Sequence, residues 1–172
     1  MNRICTFTMT ALALLGLGLA VPGGDAVAQQ ASLKQRLVGT WTFVSTTGRL
    51  RDGSPAFGPN PRGVLVIDAS GRYYQAIMRS DRAKFVSNNR FQGTADENKA
   101  TVQGTIAHFG RYSVIEADKT FTYHIESSAY PNSTGTDEKR QIVTLTADEL
   151  KWTGPASTAG GLMIELVWKR AP

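Results

Sequence analysis

His124 is one of two histidines in the chain, and it stands among residues that could handle a proton or an anion. An imidazole titrates near neutral pH and is the natural general base wherever one is needed. Arg111 and Arg140 each carry a guanidinium fork that could clamp a carboxylate or an enolate. The competing role for them is a structural salt bridge, for instance with Asp137 or Glu138. If the chain is an enzyme, His124 and Arg111 are its catalytic candidates, in an isomerase or cyclase that needs no cofactor. Tyr74, Ala76 and Met78 share one face of an alternating segment. Thioethers and rings adapt to irregular apolar ligands, and they fill ordinary cores equally well. Asn132, within Tyr130-Pro131-Asn132-Ser133, reads first as a turn former whose side chain bonds its own backbone. Asn132-Ser133-Thr134 also fits a glycosylation acceptor. The candidate ligand-binding set is therefore Tyr74, Met78, Arg111, His124, Asn132 and Arg140.

Other chemistry finds no support. Two histidines, a single Cys5, and the lack of H-E-x-x-H or an acidic loop give no metal site. Neither G-x-G-x-x-G, a P-loop nor G-x-S-x-G occurs, so nucleotide chemistry and nucleophilic hydrolysis have no motif. No cofactor is expected.

The elements that must position these residues are strands. Eight β-rich segments, 41–50, 63–68, 72–79, 110–116, 120–127, 138–146, 149–154 and 161–169, predict an all-β, antiparallel, up-and-down eight-stranded barrel. One convincing helix starts at the capping box Thr94-Ala95-Asp96-Glu97, with Val102, Ile106 and Phe109 on one helical face. Residues 32–38 fit a short helical turn into the first strand. Connections 69–71, 117–119 and 147–148 are tight, whereas 51–62, 80–109, 128–137 and 155–160 are long. If each strand reverses direction, all long loops gather at one end, where binding usually sits on a rigid scaffold. Prolines in Pro59-Asn60-Pro61-Arg62 favour a fixed rim over a moving lid.

Trp41 opens the first strand, and Trp168-Lys169-Arg170 closes the last. Pairing of those strands leaves no edge exposed. Trp41, Trp168 and Arg170 then plug the tight-turn end, with Arg170 free to lie across an indole, a contact worth about 0.5–2 kcal/mol. In the fifth strand Phe121, Tyr123 and Ile125 take the apolar face, so parity sends His124 outward. A ligand-facing His124 would need the opposite parity or a polar lumen.

The first 28 residues read as an export signal. Met1-Asn2-Arg3 supplies a positive charge, residues 4–21 are mostly apolar, and Ala26-Val27-Ala28 is a small-x-small cleavage site. The apolar run is short and broken by Gly16, Gly18 and Pro22, which argues against a membrane span. Residues 29–172 then form one cysteine-free domain, whose core must hold without disulfides in an oxidising compartment. The formal net charge is +5, and its basic residues are scattered rather than striped with aromatics. That pattern suits solubility and gives no reason to expect nucleic acid. Localisation is expected to be periplasmic or secreted, as a monomer or weak dimer.

Gly39-Thr40-Trp41 matches the G-x-W signature of lipocalins. More specific is Phe57-Gly58-Pro59-Asn60-Pro61-Arg62-Gly63, followed by a strand and Gly71-Arg72-Tyr73. Met78-Arg79, Asp81-Arg82, Phe109-Gly110-Arg111-Tyr112 and the spaced set His124, Ser128, Pro131, Asn132, Gly135, Arg140 complete the pattern. Together these resemble the bacterial lipocalin-like domain family across nearly all of residues 33–170. The resemblance implies a small lipocalin-type barrel and carries over no catalytic residues. An export signal departs from the many relatives that look cytoplasmic.

Three functions compete. A carrier would hold a small hydrophobic or amphipathic ligand in the barrel, and an enzyme would use His124 with an arginine. A structural module would fill the interior, since eight strands are just wide enough for side chains alone. A cavity of several hundred Å³ between the long loops separates the first two from the third.

Overall fold

The computed structural model describes residues 31–50, 52–156 and 161–172. The expected export signal and cleavage site, with Cys5, lie outside the described residues. Strands β1 (Gly39–Thr46), β2 (Arg62–Ile67), β3 (Arg72–Met78), β4 (Thr105–Ile115), β5 (Thr120–Ser128), β6 (Asp137–Leu145), β7 (Glu149–Ala156) and β8 (Leu162–Arg170) form a closed barrel in sequence order. Every neighbouring pair is antiparallel, and β8 pairs with β1. Closure removes the edge that a sheet would otherwise offer to another chain.

Alternation explains the core. Trp41 and Phe43 point inward from β1, Leu65 and Ile67 from β2, Phe121 and Tyr123 from β5, and Trp152 and Trp168 from β7 and β8. Trp152 stacks on Phe121 at 5.4 Å and meets Trp168 edge-on at 6.0 Å. Such aromatic pairs stabilise by about 0.5–1.5 kcal/mol beyond burial of their area.

The base is sealed by α1 (Leu33–Leu37) and the last strand. Ser32 and Gln35 form a reciprocal capping box, and Glu116 accepts from the Leu33 and Lys34 N–H groups at 2.8 and 3.1 Å. Leu37 is fully buried, and its carbonyl accepts from the Trp41 indole at 2.9 Å. Arg170 lies over the Trp41 ring at 4.0 Å and donates to Val38 and Arg36 carbonyls at 2.9 and 2.8 Å. Trp41 and Arg170 thus lie together at this end, and Trp168 packs against Phe43 and Trp152.

One expectation needs correction. Helix α2 (Ala95–Gln103) keeps the Thr94–Glu97 capping box but ends at Gly104, and Thr105 already begins β4. Ile106 and Phe109 therefore belong to a strand, and Val102 is exposed rather than part of an apolar helix face. Glycine, which costs about 1 kcal/mol inside a helix, sits at the cap instead. In β1 the register shifts between Phe43 and Ser45, so Ser45 faces out and Thr46 stands opposite Leu166. One extra residue in a strand swaps the faces beyond it.

Candidate functional site

The turns that follow β2, β4 and β6 lie at the plugged end, and β1, β3, β5 and β7 run out at the other. A cavity of about 1030 Å³ opens there. Its lining is largely apolar, Phe57, Ile106, Leu162 and Ile164 among it, and also holds Arg49, Arg79, Asp81 and Arg82 from the long connections. The rim is also tied down. Ser80 donates to the Pro59 carbonyl at 2.7 Å, and Arg79 forms a fork with Asp81 at 2.7 and 2.9 Å. Arg82 donates to the Arg79 carbonyl and to Thr105 Oγ1 at 3.0 and 2.8 Å, which fastens the β3–β4 connection to the head of β4.

The cavity floor is polar, unlike the core beneath it. Gln75, His108, Glu138 and Arg140 reach it from β3, β4 and β6 and are all buried. Tyr123, fully buried, donates from its hydroxyl to Gln75 Oε1 at 2.6 Å. That turns the Gln75 amide nitrogen toward His108 Nε2, 3.2 Å away. A neutral His108 then carries its proton on Nδ1 and donates it to the Tyr73 hydroxyl at 2.9 Å. Burial holds His108 down at about 4, and burial raises the Tyr73 and Tyr123 phenols above their usual range. Arg140 pairs with Glu138, donates to the Lys139 carbonyl at 3.1 Å, and lies 5.6 Å from the Tyr123 ring centre. Each of these floor residues thus has a polar partner, which an interior requires.

Of the expected ligand-binding residues, only Arg140 reaches this cavity. Its salt bridge is with Glu138 rather than Asp137. Tyr74 stands on the outer face and is exposed, because Tyr73, Gln75 and Ile77 take the inward positions of β3. Met78, on the same outward parity, does not line the cavity. Arg111 lies in the middle of β4 rather than at its head, points outward, and sits 3.6 Å from Glu126. The Asn132 amide donates to the Tyr130 hydroxyl at 3.3 Å within the short turn Pro131–Ser133.

His124 faces outward, as its parity required. Its Nδ1 lies 2.8 Å from Asp137 Oδ1, and its Nε2 lies 2.8 Å from Ser113 Oγ. Hydroxyl, imidazole and carboxylate stand in the order of an acyl-transfer relay. The row sits half-exposed on the barrel exterior, where neighbouring strand N–H groups serve the β4–β5–β6 ladder. Acyl transfer needs donors aimed at the oxyanion, and the ladder uses them. His124 and Arg111 cannot act on a molecule held in the cavity, and the general-base proposal for His124 ends there.

Gln75, on the face of β3 opposite Tyr74 and Met78, was passed over by sequence reasoning, and so was His108. His108 falls within the long connection 80–109, outside the alternating segments. Its signal was the spacing His108, Gly110, Tyr112, which continues the inward face of β4 by two turns of the pleat.

No curated protein sequence matches the chain. Seven chains among solved structures match it. One of them is a redesigned beta barrel, 14% identical, with a TM-score of 0.47, over 83% of this chain and 98% of that chain. Over residues 38–171 the sequence fits the model of the lipocalin-like domain, and the chain belongs to that family.

Proposed function

We propose that this lipocalin-like chain is an exported carrier that binds a small apolar or amphipathic molecule in the cavity at its open end. The observation that carries the proposal is the opening of about 1030 Å³ between the long connections. That size suits a drug-sized ligand, and a largely apolar lining with convergent polar groups at its floor is what such sites offer. A barrel packed solid for structural purposes would have no such space. Export is supported by Arg3, the apolar run and the small-x-small motif at Ala26–Ala28. No helix among the described residues is long and apolar enough to cross a membrane. We propose a monomer or weak dimer without cofactor.

Proton-transfer catalysis is the second reading, and one observation favours it: a buried imidazole, His108, lines the cavity. Both of its ring nitrogens are occupied by Gln75 and Tyr73, so the carrier is the better reading.

Expression of the full chain in a bacterial host tests both parts. Intact mass of the periplasmic fraction should show cleavage near Ala28, and native mass spectrometry should show one small molecule per chain. A chain retained in the cytoplasm with residues 1–28 attached defeats export. A chain that takes up neither a native ligand nor an added amphipathic dye such as prodan defeats the carrier.

A further inference from the structure

The polar floor has a bias that narrows the ligand's chemistry. Arg140, only 8% exposed, presents five N–H hydrogens, and Glu138 and the Lys139 carbonyl accept from two of its nitrogens. Gln75, 5% exposed, spends one amide hydrogen on His108 and keeps a second. Its own carbonyl is taken by Tyr123, and His108 Nε2 is taken by Gln75. What Gln75, His108 and Arg140 have left to offer a guest is donor capacity, and it calls for a hydrogen-bond acceptor.

Charge decides which acceptor. Glu138 neutralises Arg140, and burial keeps His108 uncharged, so the floor carries no net charge near neutral pH. A carboxylate brought there would be a surplus buried anion beside Glu138, which is costly without a matching cation. A carbonyl oxygen takes the same hydrogen bonds and brings no charge.

We propose that the cavity floor selects ligands bearing a neutral carbonyl on an apolar body, with Arg140 and Gln75 donating to the carbonyl oxygen. This rests on the carrier reading and sharpens it.

Three probes of one shape test it by calorimetry with the folded full-length chain: 2-acetylnaphthalene, 2-isopropylnaphthalene and 2-naphthoate. The ketone should bind about tenfold more tightly than the hydrocarbon, the effect of one hydrogen bond from a charged donor. Naphthoate should bind more weakly than the ketone. The carbonyl stretch of the bound ketone should lie below its value in hydrocarbon solvent. Glu138→Gln keeps an acceptor for Arg140 and leaves the floor with a positive charge, so that variant should prefer naphthoate to the ketone. Binding of ketone and hydrocarbon with equal affinity, an unshifted stretch, or naphthoate as the tightest wild-type ligand would each overturn the proposal while sparing the carrier. Binding of none of the three, with neither a native ligand nor prodan taken up, overturns both; binding of none of the three by a chain that does take up a native ligand overturns this proposal alone.

Discussion

Acidification should cost this barrel stability through His108, and the amount follows from its burial. The imidazole is 6% exposed and held at about 4, against 6.5 for a free histidine. Below 6.5 the unfolded chain binds a proton that the folded chain refuses. Stability therefore falls as pH drops from 6.5 toward 4 and levels off below that. Each unit between the two values is worth 1.36 kcal/mol, so the loss between pH 7 and 4 is about 3 kcal/mol. Glu138 and Arg140 are the charged groups that act on the ring, and they pull in opposite directions. The surface acids Asp52, Asp68, Asp81 and Glu97 also have lowered values, each held mainly by hydrogen bonds, and they too lose stability on acidification. A His108→Gln variant, which retains donor and acceptor for Tyr73 and Gln75, removes only the histidine contribution. Urea unfolding of both proteins across pH 4–7 should show the wild type losing about 3 kcal/mol more than the variant. Parallel curves would refute the buried neutral imidazole, as would a His108 proton resonance that titrates near 6.5.

Arg170→Ala removes the latch over Trp41 with its bonds to Val38 and Arg36, and should destabilise by about 3 kcal/mol, or roughly 9 °C in Tm. Arg170→Lys should recover only part of that in the same melt, because an ammonium cannot reproduce the fork. Gly110→Ala places a methyl carbon 2.1 Å from the His124 carbonyl oxygen at the β4–β5 bulge. Its unfolding free energy should drop by about 3 kcal/mol or more, measured by the same denaturant titration. On the outer face, Ser113→Ala and His124→Ala should each change stability by less than about 1 kcal/mol and leave probe affinity unchanged in calorimetry, because the row is exposed and remote from the cavity.

Much of the fold was legible because the barrel obeys a two-residue period wherever an apolar face meets the core. The tight turns at 68–71 and 116–119, the closure of β8 on β1, and the outward parity of His124 all follow from that period. The head of β4 was not legible. Val102, Ile106 and Phe109 imitate a helical stripe, and only the cap at Gly104 divides helix from strand. In β3 both faces begin with tyrosine, so Tyr73 and Tyr74 offered no contrast. The neighbours decide it, with Ile67 opposite Tyr73 and Leu65 opposite Gln75. The site itself was hidden for a deeper reason. Gln75, His108, Glu138 and Arg140 are polar residues at inward positions, and an apolar-inside rule places them outside. They are stable inward because they satisfy one another and a cavity, a condition that depends on three strands at once.

The central claim is that the open end of the barrel, and not its outer wall or its base, holds the ligand. Titration of 2-acetylnaphthalene into isotopically labelled protein, followed by NMR, tests it directly. Resonances of Ile77, His108 and Leu166 should shift and saturate together, while Val44 and Val143 outside and Trp41 at the base stay still. Saturable shifts at Val44 or Val143 with an unmoved cavity would contradict it.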